Sequence, residues 1–224
     1  MGYYIDLEKI TIDDYRNKLA SAYLPPSRMI LKDRLDERFE YFKRSGIANI
    51  KQLIQLLKKK GAHAELSKID CFSDEYLTIL LRELNSTLPK PNKIADFANI
   101  STDVVAKLER MGIKNTEKLY DRVRTKSDRQ TLADVTGINY ADILELTQLT
   151  DLSRIKWVGV TFARMLYDLG IDTVAKASEA DPLDLHEKIN KLNSQKNIFK
   201  GHIGLNDLII FVHAAKEVPT DIEY

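Results

Sequence analysis

One cysteine, Cys71, stands in 224 residues. An internal disulfide is thereby excluded, and so is a metal site built from cysteines. No apolar run approaches the roughly 20 residues of a membrane helix. The opening stretch, Met1-Gly2-Tyr3-Tyr4-Ile5-Asp6-Leu7-Glu8, lacks the basic head and apolar core of an export signal. Cytoplasm is the expected compartment, with no membrane partner. A surplus of one charge is missing too, since 34 basic residues face 33 acidic ones for a net charge of +1. Nucleic-acid binders draw much of their affinity from neutralising phosphates, so any such footprint here must be local.

Catalytic patterns are equally scarce. His186-Glu187-Lys188-Ile189-Asn190 begins like a zinc-protease helix but has no second histidine four positions after the first. His63, His186, His202 and His213 show no ligand spacing, and His213, on an apolar helix, is expected to be a packing residue. No phosphate-cradling Walker loop or nucleophile elbow occurs. Cys71, in Ile69-Asp70-Cys71-Phe72, is expected to be buried and inert. The sequence therefore predicts a protein that is not an enzyme, with no cofactor, metal or small-molecule substrate.

What is present is a phrase that returns three times. Tyr41-Phe42-Lys43-Arg44-Ser45-Gly46-Ile47, Leu108-Glu109-Arg110-Met111-Gly112-Ile113 and Leu166-Tyr167-Asp168-Leu169-Gly170-Ile171 each end an apolar helical stretch in Gly-Ile. A period near 60 residues predicts an array of small helical units. Shifting the chain by 58 (170 − 112) sets Phe97 on Ile155, Ile100 on Val158, Val104 on Phe162 and Leu108 on Leu166. Shifting it by 66 (112 − 46) sets Leu66, Ile69 and Phe72 on Leu132, Val135 and Ile138. Gly204-Leu205-Asn206 echoes Gly137-Ile138-Asn139 in the same way. Gly46, Gly112 and Gly170 read as structural turns, each a left-handed residue just past a helix end. No strand pattern competes, so the fold is expected to be all-α.

Local punctuation divides the chain. Thr11-Ile12-Asp13-Asp14 reads as a helix start with a threonine cap and acidic first turn. Pro25-Pro26 precedes a long amphipathic helix expected from about Ser27 to Ser45. Thr87-Leu88-Pro89-Lys90-Pro91-Asn92 reads as a linker. Two regions follow: residues 1–88, with one divergent unit, and residues 93–224, with two more regular ones.

The stretch Leu152-Ser153-Arg154-Ile155-Lys156-Trp157-Val158-Gly159-Val160-Thr161-Phe162-Ala163-Arg164-Met165-Leu166 resembles a helix-hairpin-helix motif. With Asp172-Thr173-Val174-Ala175-Lys176-Ala177 and Asp181-Pro182-Leu183-Asp184-Leu185-His186, it resembles the bacterial family known as domain of unknown function 4332. The resemblance covers roughly Asp151 to Asn193, with weaker echoes over Ile94–Leu146 and Arg34–Leu84. It implies paired helix-hairpin-helix units, similar to modules of DNA repair proteins and of the RNA polymerase alpha C-terminal domain. In DNA-binding members a glycine-rich hairpin presents backbone amides to phosphate, an anion site that needs no particular side chain. This chain departs from that pattern: Trp157 occupies the place of the first glycine, Asn99-Ile100-Ser101 has none, and Arg34-Leu35 stands there in the first unit.

Candidate nucleic-acid contacts are Arg154, Lys156, Trp157, Gly159, Arg164, Gly137, Gly204 and Lys200. Lys156, Arg154 and Arg164 would neutralise phosphates while Trp157 stacks. The competing reading has the basic side chains covering the helix surface and Trp157 filling space between units. Lys58-Lys59-Lys60 is expected to be a solvated helix end. Arg122, Arg124, Lys126 and Arg129 alternate with Asp121 and Asp128 as mixed surface. Lys188, Lys191, Lys196 and Lys200 would be the companion stretch if a groove exists. Two functions remain open: a non-enzymatic protein-interaction or scaffold module, or sequence-independent nucleic-acid binding.

Overall fold

The computed structural model describes residues 2–224. Among these, helices and two isolated β-bridges are the only regular elements, so the chain is all-α. It divides into two compact units, Ile5–Leu88 and a second that joins residues 2–4 to Pro89–Tyr224.

The first unit holds α1 (Ile12–Ser21), α2 (Leu35–Arg44), α3 (Ile50–Lys58), α4 (Ala62–Leu66) and α5 (Asp74–Asn85). Thr11 caps α1 by accepting the Asp14 N–H, while the Asp14 carboxylate accepts the Thr11 N–H, a reciprocal capping box. Tyr15, Leu19, Phe39, Phe42, Leu53, Tyr76 and Leu80 form the core. Each such side chain contributes about 1.5–3 kcal/mol on burial.

The single long helix expected from Ser27 to Ser45 is instead two pieces. A 3-10 helix spans Pro26–Lys32, Asp33 is extended, and Arg34 turns left-handed at φ 46° before α2 begins. Arg38 makes the break tolerable. Its buried guanidinium donates to the Cys71 carbonyl (2.6 Å) and to those of Ile30 (3.1 Å) and Asp33 (2.6 Å), the last two being acceptors that a continuous helix would have used itself. Cys71 is buried as expected, and burial pushes its thiol up from the usual range.

The second unit holds α6 (Thr102–Arg110), α7 (Thr116–Tyr120), α8 (Lys126–Thr136), α9 (Tyr140–Leu152), α10 (Val160–Asp168), α11 (Val174–Glu179), α12 (Pro182–Lys196) and α13 (Leu205–Ala215). The central helix is α9, buried on most of its sides. Ile143 and Leu146 pack with Val104, Leu108 and Leu132; Leu149 and Leu152 pack with Ile155, Leu166 and Phe211.

The three Gly-Ile phrases close their helices identically. Gly46, Gly112 and Gly170 are left-handed at φ 81°, 77° and 79°. The N–H groups of Ile47, Ile113 and Ile171 donate to the carbonyls of Phe42 (3.1 Å), Leu108 (3.0 Å) and Leu166 (3.0 Å). This six-to-one closure is the Schellman motif. Asn49, Asn115 and Thr173 then cap α3, α7 and α11. The first N–H of α3 donates to the Ile10 carbonyl, and that of α7 to the Asn92 carbonyl. At α11 the carbonyl is replaced: the Val174 N–H donates to the carboxylate of Asp151 at 3.0 Å.

Candidate binding interface

The turn that enters α10 has two close counterparts in its unit. Asn99, Gly137 and Trp157 are left-handed at φ 66°, 62° and 68°. Each is followed by an apolar residue turned into the core, Ile100, Ile138 or Val158. The third residue caps the next helix: Ser101 accepts the Val104 N–H at 3.2 Å and Asn139 accepts the Ala141 N–H at 2.9 Å. At the α10 turn this third residue is Gly159, which has no side chain to offer.

Local physical chemistry is therefore inverted at one turn. Asn and Gly suit a left-handed position, whereas a bulky side chain there costs about 1–2 kcal/mol. Gly159 lies at φ −90°, and nothing stands within 4 Å of where a β-carbon would point, so no steric demand requires glycine. Trp157 is 46% exposed, and the Lys156 ammonium lies 4.1 Å from its ring centroid. The α10 turn differs electrostatically as well. Asp103, Asp142 and Asp207 sit in the first turns of α6, α9 and α13, while α10 has no acidic residue there. Its N-terminal amides keep their positive potential uncompensated.

The other sequence candidates separate sharply. Arg154 is 4% exposed and is consumed internally: it donates to Asp151 Oδ1 (2.9 Å), the Pro219 carbonyl (3.0 Å) and the Tyr3 carbonyl (3.4 Å). Arg164 is 5% exposed, bonded to Glu145 at 2.6 Å, with Asp168 3.8 Å away. Neither guanidinium is available to a phosphate. Lys188 and Lys196 pair with Asp184 and Asp168. Lys200 is exposed. Gly137 forms its turn, and its carbonyl accepts from Lys107. Gly204 corresponds to the cap Asn139 and not to Gly137, because it is the extended residue before α13 and its N–H is held by Asp207 at 2.9 Å. His213 is exposed, with its neighbours Val212 and Ala214 facing inward. Arg129 is buried, donating to the Val123 carbonyl, unlike its exposed neighbours Arg122 and Lys126. No cluster of three or more His, Cys, Asp or Glu fit to hold a metal occurs among the described residues.

Beneath the α10 turn lies a polar cluster that the sequence pattern did not reveal. Asp151, 3% exposed, accepts from Arg154, from the Val174 N–H and from the Tyr224 hydroxyl (3.2 Å). Burial raises its carboxyl above the usual range against these three donors. The Arg154 guanidinium lies 4.7 Å from the Tyr120 ring centroid, and the Tyr120 hydroxyl donates to Asp221. Tyr3 packs its ring edge against Tyr120 and hydrogen-bonds Thr116 at 2.8 Å. Burial pushes the phenols of Tyr3 and Tyr120 up to about 12. The available signal was the i, i+3 spacing of Asp151 and Arg154 among the apolar residues Leu149, Leu152 and Ile155.

A protein-family model described as domain of unknown function (DUF4332) matches residues 98–218, more than half of the chain. The chain belongs to this family. No curated protein and no solved structure matches it.

Proposed function

We propose that this member of the DUF4332 family is a non-enzymatic, cytoplasmic binding module made of tandem helix-hairpin-helix-like units, whose partner is a protein gripped at the Trp157 turn. The observation that carries the reading is Trp157 itself: a half-exposed indole held in a left-handed conformation that disfavours it. Strain of this kind persists where function selects the residue against local stability. Large aromatics are also the residues that anchor protein interfaces. The open amides of α10 and the Lys156 ammonium add a place for a partner carboxylate beside the indole.

Charge favours protein over nucleic acid. A sequence-independent nucleic-acid surface neutralises several phosphates, and the two arginines nearest the turn are already paired with Asp151 and Glu145. Nucleic acid is the second reading, favoured by the uncapped helix start behind Gly159. Fluorescence anisotropy with labelled single-stranded DNA, duplex DNA and RNA across a salt series separates the two. The protein reading expects no binding that falls steeply with salt. Such binding to all sequences alike, abolished by Lys156→Glu, would overturn it.

A further inference from the structure

We infer that the first unit carries a binding groove of its own, between α3, α4 and α5, for an acidic peptide segment bearing an aliphatic side chain. The inference deepens the reading that the chain binds protein, and it concerns residues outside the span matched by the family model.

The groove has a volume of about 730 Å³. Its shape follows from the chain path. Helix α3 ends at Lys58, Lys59 is extended, and Gly61 at φ 84° turns the backbone into the short α4, which packs against α3. Glycine takes this left-handed turn at little steric cost. Leu57, Ala64 and Leu81 form an aliphatic floor, and Lys58 and Lys59 stand at the rim.

Three observations distinguish this rim from an ordinary solvated helix end. Three other lysines of the unit meet carboxylates: Lys43 with Asp13 at 2.6 Å, Lys51 with Glu8 at 2.5 Å, Lys68 with Glu65 at 2.8 Å. Lys58 and Lys59 are exposed, and Asp74 is the one carboxylate in the lining. Asp74 is itself turned to His63, whose Nδ1 lies 3.4 Å from its Oδ1. The floor is aliphatic, with no tryptophan, tyrosine or phenylalanine on which a base would stack.

Positive rim and aliphatic floor together fit carboxylates flanking a leucine-like side chain. Such rim charges act chiefly on encounter rate and salt dependence, which suits a transient contact.

The test uses the full chain and a fluorescein-labelled twelve-residue peptide of leucine and glutamate in amphipathic order. Control probes carry lysine for glutamate or glycine for leucine, and a fourth probe is a twelve-nucleotide single strand of DNA. The leucine-glutamate peptide should bind more weakly as salt rises. It should lose about tenfold in affinity in the Lys58→Glu/Lys59→Glu variant. Ala64→Gln, which lengthens a side chain over the floor without adding charge, should weaken it as well, with helical circular dichroism unchanged in both. Equal binding of the lysine peptide, unchanged affinity in the variants, or DNA binding tighter than the peptide's and weakened by Lys58→Glu/Lys59→Glu would overturn the groove. Trp157→Gly should leave peptide binding intact. Loss of peptide binding in that variant alone would overturn the groove and leave the Trp157 reading standing, whereas DNA binding lost only in Trp157→Gly would do the reverse.

Discussion

Asn99-Ile100-Ser101 and Trp157-Val158-Gly159 trace the same backbone turn with opposite chemistry. At the first, asparagine tolerates the left-handed position and serine caps the helix that follows. At the second, tryptophan strains the turn and glycine leaves the helix open. The contrast continues below the turns. Lys93 and Asp96, which stand before Asn99, are exposed; Asp151 and Arg154, at the corresponding places before Trp157, are buried and paired. A turn whose own residues are poorly chosen for stability thus rests on a rigid, fully bonded floor. One turn is built to hold the fold and the other to present a surface.

Removing the floor is the most severe way to break this comparison. Asp151→Ala leaves the buried Arg154 guanidinium without its nearest carboxylate and the first N–H of α11 without its acceptor. The variant should lose about 3–5 kcal/mol of unfolding free energy. Lys93→Ala, the matching change under the other turn, should stay within about 0.5 kcal/mol. Urea unfolding followed by circular dichroism measures both; equal effects would dissolve the contrast.

Alkaline pH tests the same floor with a smaller effect. The phenols of Tyr3 and Tyr120 ionise at about 12 in the fold, against about 10 in an unfolded chain. Each folded value is raised, so the associated stability is fully present below pH 10 and is lost as pH rises through 12. For Tyr3 the linkage is on the order of 2 kcal/mol. Stability against pH should therefore fall over that window, and Tyr3→Phe should flatten the fall. A profile unchanged by Tyr3→Phe would contradict the burial assigned to it.

The turn itself offers the finest comparison. Trp157→Gly should raise stability by about 1 kcal/mol, and Gly159→Ser by about 0.5–1 kcal/mol through a restored cap. Asn99→Gly should change little. Because Trp157 is the one tryptophan, these variants are followed by circular dichroism. A loss of stability in Trp157→Gly would mean that the indole supports the fold and is not held for a partner.

The sequence revealed most where structure is decided locally. Glycine past a helix end, followed by isoleucine, produced the same closure at Gly46, Gly112 and Gly170, and the Asn49, Asn115 and Thr173 caps lie within three residues of each. Local chemistry did not announce the break at Arg34, because the apolar spacing runs on through it and the compensating bonds come from Arg38, four residues later. The candidate site was legible only in part. Trp157 stands out by its departure from the hairpin pattern and Gly159 by its match to it. Arg154 and Arg164 were grouped with them by proximity in sequence, yet their partners Asp151 and Glu145 reach them only once α9 and α10 are packed. The register of Gly204 slipped because a glycine can be either a left-handed turn residue or an extended cap, and identity alone does not say which.

Helix α9 gives the second unit one further property. Its two halves belong to different clusters, Ile143 and Leu146 to one, Leu149 and Leu152 to the other. Neither cluster can come apart without withdrawing side chains that stand on the same rigid rod as the other's. Residues 89–224 should therefore open as a single cooperative block, with the amides of α9 among the slowest to exchange.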